Sequence, residues 1–508
     1  MIPLLLVLIA LSVLTYFIVQ RSVASITRTP VWLLWLVMMM PAFIWSTWLV
    51  LSGGDEQMPF ALFIIPFIVC PMLYWFLVQW GRMPTPPKSP DQPSDQETDK
   101  TDKPNPLASL AQLNNPVRPI DKEEEAKLRG CFPWSVYYVQ TVEYRPQALI
   151  CRGQLRTNPE KAYNTIQEKI AGAFGDRFLV VFQEGVNGKP FFALVNNPQA
   201  SKSETAEKEP AEASPVTRPL IAIGLLIATL LTTTLAGAWL MATPDETFNP
   251  TRESLIAGIP YALSIMAILG LHELAHYLTA RRYEISATLP YFIPVPPAAI
   301  FPFGTFGAFI QMRSPIPNRK ALFDVGIAGP LAGFVVTIPL LIIGLMISDT
   351  VPMTEESGLL SFDALDPSVS FLLMLFAKMA LGSDLTTETA VNLHPVAIAG
   401  CLGLVVTALN LMPVGQLDGG HIVHAMFGQR MGATIGQIAR FLVLALAFVQ
   451  PDFFIWAVLL FLMPAVDQPA LNDVTELDNS RDFLGLVTLG ILILIVLPAP
   501  STVVEWLL

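Results

Sequence analysis

Two histidines four residues apart flank a glutamate, at His272, Glu273 and His276, near the end of the apolar run 256–271. Side chains at positions i and i+4 share one face of an α-helix, so both imidazoles can reach the same ion. This spacing is typical of Zn²⁺ ligands, and the carboxylate between them then lies beside the metal as a general base. A charge in the middle of a membrane costs from about 2.5 kcal/mol upward, so a cluster of ionisable groups there indicates a functional site.

A second polar cluster follows a later apolar run and reads Asn-Leu-Met-Pro-Val-Gly-Gln-Leu-Asp-Gly-Gly-His over residues 410–421. Catalytic zinc usually has three protein ligands, and Asp418 is the candidate for the third. Pro413 is expected to end the preceding helix. Three glycines then permit the non-helical backbone expected around this ligand, namely Gly415, Gly419 and Gly420.

The composition is that of a polytopic membrane protein. Of 508 residues, 53% are hydrophobic and only 14% are charged, whereas soluble proteins contain about 25% charged residues. The net charge of −11 and the lack of a basic stripe argue against a nucleic-acid partner. Cys131 and Cys151 could pair, but the charge bias described below places them in a compartment where disulfides are rare.

Apolar stretches near the membrane-crossing length of about 20 residues predict most of the helices. They cover residues 2–20, 31–51, 59–80, 219–242, 256–280, 322–348, 395–413 and 483–500. The stretch 436–465 is ambiguous, because Pro451-Asp452 divides it into either a tight hairpin or one kinked helix. The predicted fold is therefore mostly α-helical, with nine or ten transmembrane helices, a re-entrant β element and a small soluble α+β domain.

Lys and Arg concentrate in alternate short loops, including Arg281-Arg282 and Arg319-Lys320. By the positive-inside rule these loops face the cytoplasm, or an equivalent compartment, and the N-terminus lies outside. The histidine-bearing helix then runs from outside to inside. Its site is expected in the cytoplasmic half of the membrane.

Changes of composition divide the chain into six predicted parts. These are an N-terminal three-helix membrane segment (1–82), a disordered Pro-rich linker (83–115), a soluble α+β domain (116–197), a polar linker (198–218), a membrane core (219–435) and C-terminal membrane helices (436–508). In the soluble domain, Asn158 and Pro159 predict the start of a helix that ends before Gly175. Asn187-Gly188 predicts a hairpin between strands 178–183 and 191–195, and 136–142 with 148–153 predicts another. This domain contains no catalytic cluster, so an adaptor or regulatory role is expected.

The two motifs together, H-E-x-x-H and N-x-x-P-x-x-x-x-D-G, resemble those of the site-2 protease family of intramembrane zinc metalloproteases. H-E-x-x-H alone would leave a buried structural pair of histidines as an alternative. The resemblance covers roughly residues 256–425. Segments 304–310, 324–333 and 153–156 are similar to the plastid and cyanobacterial members that lack a PDZ domain, although Gln154 stands where that group typically has Asn.

The resemblance implies a role for each matched residue. His272, His276 and Asp418 would bind Zn²⁺, and Glu273 would be the catalytic base that activates a zinc-bound water. Asn410 would either donate a hydrogen bond to the substrate carbonyl or oxyanion, or satisfy the backbone freed by the following proline.

Cleavage of a transmembrane helix requires its local unwinding, and residues 290–312 offer a place for the unwound segment. Five prolines make 290–303 non-helical, and 304–312 alternates small and large residues as a strand does. An exposed strand edge can hold an extended peptide by β-addition. The predicted substrate-binding residues are Gly304, Thr305, Phe306, Gly307 and Ala308.

Several other residues have less specific signals. His421 would support the metal ligands from outside or be a polar loop residue, whereas His424 and His394 are interpreted as structural or interfacial. Glycines at three positions are expected to serve close helix packing, namely Gly326, Gly329 and Gly333.

The sequence therefore predicts an intramembrane zinc endopeptidase that cleaves a membrane-protein substrate within or near a transmembrane segment. Its expected location is a bacterial inner, thylakoid or plastid membrane, with the active site toward the cytoplasm or stroma. One alternative is a zinc-binding membrane protein without protease activity. Another is a metal transporter, although transporters usually repeat their ligands over several helices.

Overall fold

A computed structural model provides the three-dimensional structure. It describes residues 29–51, 122–145, 148–185, 188–197, 218–241, 251–297, 302–353, 364–449 and 453–500, with scattered single positions elsewhere. The predicted spans 2–20 and 59–80, the linkers 83–115 and 198–218, and Asn187 of the predicted turn fall wholly or mostly outside these residues. The chain forms two compact units, Met1–Pro104 and Asn105–Leu508.

The continuous part of the first unit is helix α1, Val31–Leu51, which is long and apolar enough to cross a membrane. Pro41 lies inside it. The indole Nε1 of Trp35 donates to the carbonyl oxygen of Ser12 at 2.9 Å.

The second unit begins with a four-stranded antiparallel sheet covered by helices, here called the sheet domain (residues 122–197). Its elements are α2 (Lys122–Gly130), β1 (Tyr137–Arg145), β2 (Ala148–Leu155), α3 (Pro159–Phe174), β3 (Phe178–Glu184) and β4 (Pro190–Asn196). The strand order is β1-β2-β4-β3, so β3 lies at one edge. Asn158 caps α3 by accepting from the Glu160 amide, and Gly175 follows its last turn, which confirms the predicted helix.

The core of the sheet domain consists of the apolar face of α3 packed on the inward-facing strand residues. Phe182 and Phe192 stack on neighbouring strands with ring centroids 4.1 Å apart. Cys131 and Cys151 are buried there as free thiols rather than as a disulfide. Both predicted hairpins form. In addition, β2 pairs with β4, a long-range contact that no local turn signal indicates.

The rest of the second unit is mainly helical. Its helices are α4 (Pro219–Leu240), α5 (Arg252–Arg282), α6 (Arg319–Met346), α7 (Phe371–Leu381), α8 (Pro395–Leu411), α9 (Asp418–Phe427), α10 (Gln429–Val449), α11 (Phe454–Leu462) and α12 (Asn479–Val496). Among the described residues of the whole chain, six helices are long and apolar enough to span a membrane: α1, α4, α5, α6, α10 and α12. The predicted count of nine or ten is therefore not confirmed, and α8 is a shorter apolar helix.

The stretch 436–465 forms the hairpin alternative rather than one kinked helix, since the rings of Phe441 in α10 and Phe461 in α11 lie with centroids 5.7 Å apart, but its expected start needs a correction. Helix α10 begins at Gln429, earlier than expected, and is by itself a candidate span, whereas α11 has only 9 residues. The sequence-based boundary was late because Gln429 and Arg430 look like a loop. Polar residues at the end of a membrane helix nevertheless extend it where they reach the interface.

Two small antiparallel sheets complete the fold. Strands β5 (Tyr291–Pro294) and β6 (Thr305–Phe309) form a hairpin, and β7 (Asp349–Pro352) pairs with β8 (Thr389–Asn392) at the other end of α6. The predicted strand after Gly304 therefore exists as β6. Its partner β5 was not predicted, because its proline-rich sequence resembles a loop.

Candidate metal centre

Helix α5 carries three of the predicted site residues on one side. Thr251 caps its N-terminus through a hydrogen bond with the Ser254 amide, and the helix continues for 31 residues to Arg282. His272, Glu273 and His276 are buried, with exposed fractions of 4%, 8% and 6%. The helical spacing predicted for the two histidines is therefore the observed one.

Asp418 reaches the same place from a different part of the chain. Helix α8 ends at Leu411, a short irregular turn follows, and Asp418 is the first residue of α9. The expected non-helical backbone is thus confined to residues before Asp418, and Gly419 and Gly420 are helical. A Cβ on Gly419 would lie 2.0 Å from the Leu411 carbonyl oxygen, so this glycine allows α9 to begin directly against the end of α8.

Three potential ligand atoms converge. The Nε2 atoms of His272 and His276 lie 3.1 Å apart, and Asp418 Oδ2 is 3.4 Å from the first and 3.2 Å from the second. Glu273 Oε1 lies 4.0 Å from His272 Nε2. Among the described residues this is the one group of three or more His, Cys, Asp or Glu side chains that converges in this way.

The chemistry of these donors fits zinc. His276 Nδ1 lies 2.7 Å from the Val325 carbonyl oxygen, and since a carbonyl only accepts, Nδ1 carries the proton. In the neutral imidazole that a metal requires, the Nε2 lone pair would then be directed toward the other two ligand atoms, an orientation found in metal-binding histidines. Ligand atoms of a tetrahedral zinc ion lie about 3.3–3.6 Å from one another, close to the separations observed here.

Glycines of α6 make room for the histidines. A Cβ on Gly329 would lie 2.0 Å from His276 Nε2, and one on Gly333 would lie 3.2 Å from His272 Nδ1. A Cβ on Gly326 would contact His421 Cβ at 3.0 Å. The predicted close packing is therefore present, but the groups packed against Gly329 and Gly333 are the candidate metal ligands. The spacing of these glycines on one helix face was the signal in the sequence. Only the tertiary structure shows which groups pack against that face.

Asn410 and the β5–β6 hairpin border the site. The Asn410 side-chain nitrogen lies 3.4 Å from His272 Nε2, and the backbone of Ile310, just after β6, interacts with the Glu273 carboxylate. Gly304 has a φ of +77°, and its carbonyl oxygen accepts from Thr232 Oγ1 on α4 at 2.7 Å. The predicted substrate strand is thus attached to the helices that form the site.

Comparisons with known proteins agree with this geometry. A model of the family described as peptidase family M50 matches residues 260–449, which include both motifs. A protein of Arabidopsis thaliana named "Probable zinc metalloprotease EGY2, chloroplastic" is 30% identical over 396 residues, covering 77% of this chain and 67% of that protein.

The chain belongs to peptidase family M50. This family is that of the site-2 proteases, so the resemblance inferred from the motifs is confirmed. The M50 match contains every predicted ligand and the predicted base. A model described as EGY3 middle domain matches residues 126–203, most of the sheet domain.

For other relatives, a smaller share of the relative's own length aligns with this chain. The EGY2 protein of Oryza sativa subsp. indica is 31% identical over 376 residues, 73% of this chain and 65% of that protein. The protein of Arabidopsis thaliana named "Probable zinc metalloprotease EGY1, chloroplastic" is 34% identical over 251 residues, 49% of this chain and 44% of that protein. The M50 chain described here thus spans about two thirds or less of these relatives. No solved structure matches it.

The remaining histidines of this M50 protein have clear partners. His394 caps α8 by accepting from the Val396 amide at 3.3 Å. His421 and His424 both donate to Asp467, each at 2.8 Å, so His421 is held in a buried network rather than in a solvated loop. Asp467 and Asp473 had no signal in the sequence, because nothing local relates them to α9.

His424 lies in α9, outside the candidate spans, between two carboxylates. Its Nδ1 lies 2.8 Å from Asp467 Oδ2 and its Nε2 lies 2.9 Å from Asp473 Oδ1. Burial lowers the pKa of His424, but the hydrogen bonds and charges of both aspartates outweigh burial and raise this pKa to about 9. The imidazolium form is favoured, because each ring nitrogen must donate to a carboxylate.

Proposed function

We propose that this chain is an intramembrane zinc endopeptidase that cleaves a membrane-protein substrate within or near a transmembrane segment. The observation that carries the proposal is the convergence of His272 Nε2, His276 Nε2 and Asp418 Oδ2, all within 4.8 Å of one another, beside the carboxylate of Glu273. The histidines and Glu273 lie in α5, whose mean hydropathy and length suit a membrane span.

Different residues of the chain then have different roles in the proposed reaction. His272, His276 and Asp418 hold the ion, which when bound polarises the scissile carbonyl and lowers the pKa of water. The Glu273 carboxylate takes a proton from the attacking water and delivers it to the leaving amine nitrogen. The Asn410 side-chain amide, whose nitrogen lies 3.4 Å from His272 Nε2, would donate to the oxygen that gains negative charge.

Strand β6 is the proposed docking edge for the unwound substrate. Its first four residues, 305–308, with the preceding Gly304, are the predicted substrate-binding set, and the backbone of Ile310, just after the strand, interacts with the Glu273 carboxylate. Main-chain pairing with an extended substrate segment would bring one of its peptide bonds toward the base. Such pairing depends little on the side chains of the substrate. This suits a protease whose substrates are apolar helices.

The location follows from the relatives and from the charge bias. Several relatives carry "chloroplastic" in their names, which supports a plastid or related membrane for this chain. Arg281 and Arg282 end α5, and Arg319 and Lys320 begin α6. By the positive-inside rule that end of the site faces the stroma or cytoplasm.

Two other functions fit the geometry less well. A metal transporter would repeat ligands along its spans, whereas the ligands here converge at one point beside a base. A zinc-binding protein without protease activity would not need a buried carboxylate such as Glu273, which lies near the histidines but is not one of the three proposed ligands.

Zinc content tests the proposed site without knowledge of the substrate. The purified wild-type chain should bind about one zinc per chain, and Asp418→Ala should lose most of it, because only two of the three protein ligands of a catalytic zinc remain. Metal content by mass spectrometry is the measurement. Zinc absent from both proteins, or retained equally in both, would contradict the proposed centre.

A further inference from the structure

Helix α9 has to be held firmly, because Asp418 is its first residue. The residue before it, Leu417, provides no side-chain cap. At 1.5 Å per residue the helix is only about 15 Å long, so its placement depends on contacts along its length. Any shift of α9 would move the Asp418 carboxylate relative to the two histidines of α5.

The C-terminal end of α9 is anchored by a buried arginine. Arg319, at the start of α6 and only 6% exposed, donates to the carbonyl oxygens of Ala425 at 2.7 Å and Met426 at 2.9 Å. A cation at the C-terminus of a helix satisfies its free carbonyls and complements the helix dipole. The end of α9 remote from Asp418 is therefore tied to α6.

One side of α9 is held by a buried network of charged groups. His421 and His424, three residues apart, share a helix face and both donate to Asp467, while His424 also donates to Asp473. His424 is 1% exposed and both aspartates are 7% exposed. Charge-assisted hydrogen bonds at this depth are strong and directional, so the loop that carries the aspartates holds this side of α9 in place.

That loop is itself attached to the sheet domain. The Phe182 amide on edge strand β3 donates to the Leu471 carbonyl at 2.7 Å, and the Asp473 amide donates to the Phe182 carbonyl at 2.9 Å. On its other side the loop pairs with the residues before α6, since the amides of Leu471 and Asn472 donate to Ile316 and Pro317. Residues 471–473 thus extend the sheet from β3 to the start of α6.

We propose that His424 is a positioning residue for Asp418, and that residues 467–473 carry this support from the edge of the sheet domain to the metal centre. The proposal rests on the proposed function. It gives the sheet domain a role: its edge strand holds the segment whose two aspartates hold α9. A change at the edge of the sheet domain would then alter zinc affinity, and zinc binding would in turn alter the stability of that edge.

The first test is the zinc affinity of the full chain, measured by competition with a chelating zinc indicator. His424→Gln and Asp473→Asn should each weaken binding about tenfold, the lower end of the range for residues that orient metal ligands. His394→Gln, at the far end of α8, and Asp366→Asn, which caps a short helix elsewhere, are matched controls and should bind as the wild type does. Unchanged affinity in both His424→Gln and Asp473→Asn would overturn the proposal.

A second measurement separates positioning from general loss of structure. In an Asp418→Ala background, His424→Gln should cause no further loss of affinity, because it acts through Asp418. Co²⁺ bound to His424→Gln in place of zinc should also show an altered visible absorption per bound ion, whereas simple destabilisation would lower occupancy only. An additive loss together with an unchanged Co²⁺ spectrum would overturn the positioning role.

A third measurement uses the wild type alone, so it does not depend on any variant folding. Zinc should slow amide hydrogen exchange several-fold in β3 and in residues 471–475, and leave β1, at the opposite edge of the sheet, unchanged. Zinc that binds at one per chain without slowing exchange in β3 would refute the coupling while leaving the proposed function intact. Failure of the wild type to bind zinc would instead refute the proposed function.

Discussion

Each of the two candidate histidine ligands is accommodated by the absence of a side chain on the opposing helix. His276 Nε2 lies where a Cβ on Gly329 would be, and His272 packs beside Gly333. The Val325 carbonyl on the same helix accepts from His276 Nδ1. One face of α6 thus provides both the space and the hydrogen bond that orient the imidazole toward Asp418.

Gly329→Ala should abolish zinc binding or weaken it at least tenfold. The new methyl carbon would lie 2.0 Å from His276 Nε2, and the ring cannot keep its position at that distance. The matched control is Gly490→Ala in α12, where a Cβ meets nothing within 4 Å. Zinc content and unfolding temperature of both variants are the measurements, and a Gly329→Ala protein with full zinc would show that the site is wider than described.

Glu273→Gln should keep its zinc and lose cleavage. The amide has nearly the shape of the carboxylate but cannot accept the proton, and general-base catalysis contributes about 10²–10⁴-fold to rate. The two measurements are zinc per chain and cleavage of a membrane-protein substrate in reconstituted vesicles. Normal turnover in this variant would exclude Glu273 as the base.

At the scale of elements, the β5–β6 hairpin is attached to the helices of the site at several points. Thr232 of α4 donates to Gly304, Tyr261 of α5 donates to the carbonyl of Phe303 at 3.0 Å, and the Ile310 amide contacts Glu273. The hairpin therefore lies in a defined position relative to Glu273, as the proposed substrate-binding strand requires.

Proline substitutions in β6 should impair cleavage and spare zinc. Phe306→Pro or Ala308→Pro removes a backbone donor that strand pairing needs, while the ligands lie on other elements. Ala308→Gly keeps the donor and should retain most activity. Cleavage rate and zinc content are compared across the three variants, and unchanged cleavage in both proline variants would refute docking at this strand.

At the scale of the whole second unit, its two ends differ. The sheet domain, the end of α5 and the start of α6 lie together, since Lys320 pairs with Glu160 of α3 at 3.7 Å. The β7–β8 sheet lies at the opposite end of α6. A membrane crossed by α6 would separate these two ends.

Sided labelling tests this arrangement. Lys189→Cys in the sheet domain and Glu388→Cys beside β8 introduce exposed thiols, while Cys131 and Cys151 are buried. A membrane-impermeant maleimide should label only one of the two variants in sealed vesicles, and the other in vesicles of opposite orientation. Labelling of both from the same side would contradict the proposed topology.

Local signals in the sequence predicted a good part of the structure and of the candidate site. The caps of α3 and the spacing of His272 and His276 depend only on nearby residues, so pattern and propensity suffice for them. Span boundaries were less certain, as α10 shows, because a helix end depends on where polar side chains meet the interface. The count of spans was not confirmed, because the predicted spans 2–20 and 59–80 lie mostly outside the described residues and α8 is shorter than a membrane span.

By itself, the sequence determined which chemistry was available: two imidazoles on one helix face, a carboxylate between them and a later aspartate in a glycine-rich motif. Only the tertiary structure decided that Asp418 meets those histidines, that Gly329 faces His276, and that Asp467 and Asp473 hold His424. These pairs are far apart in the chain. Whether such groups meet depends on how helices and sheet pack, which short-range periodicity does not encode.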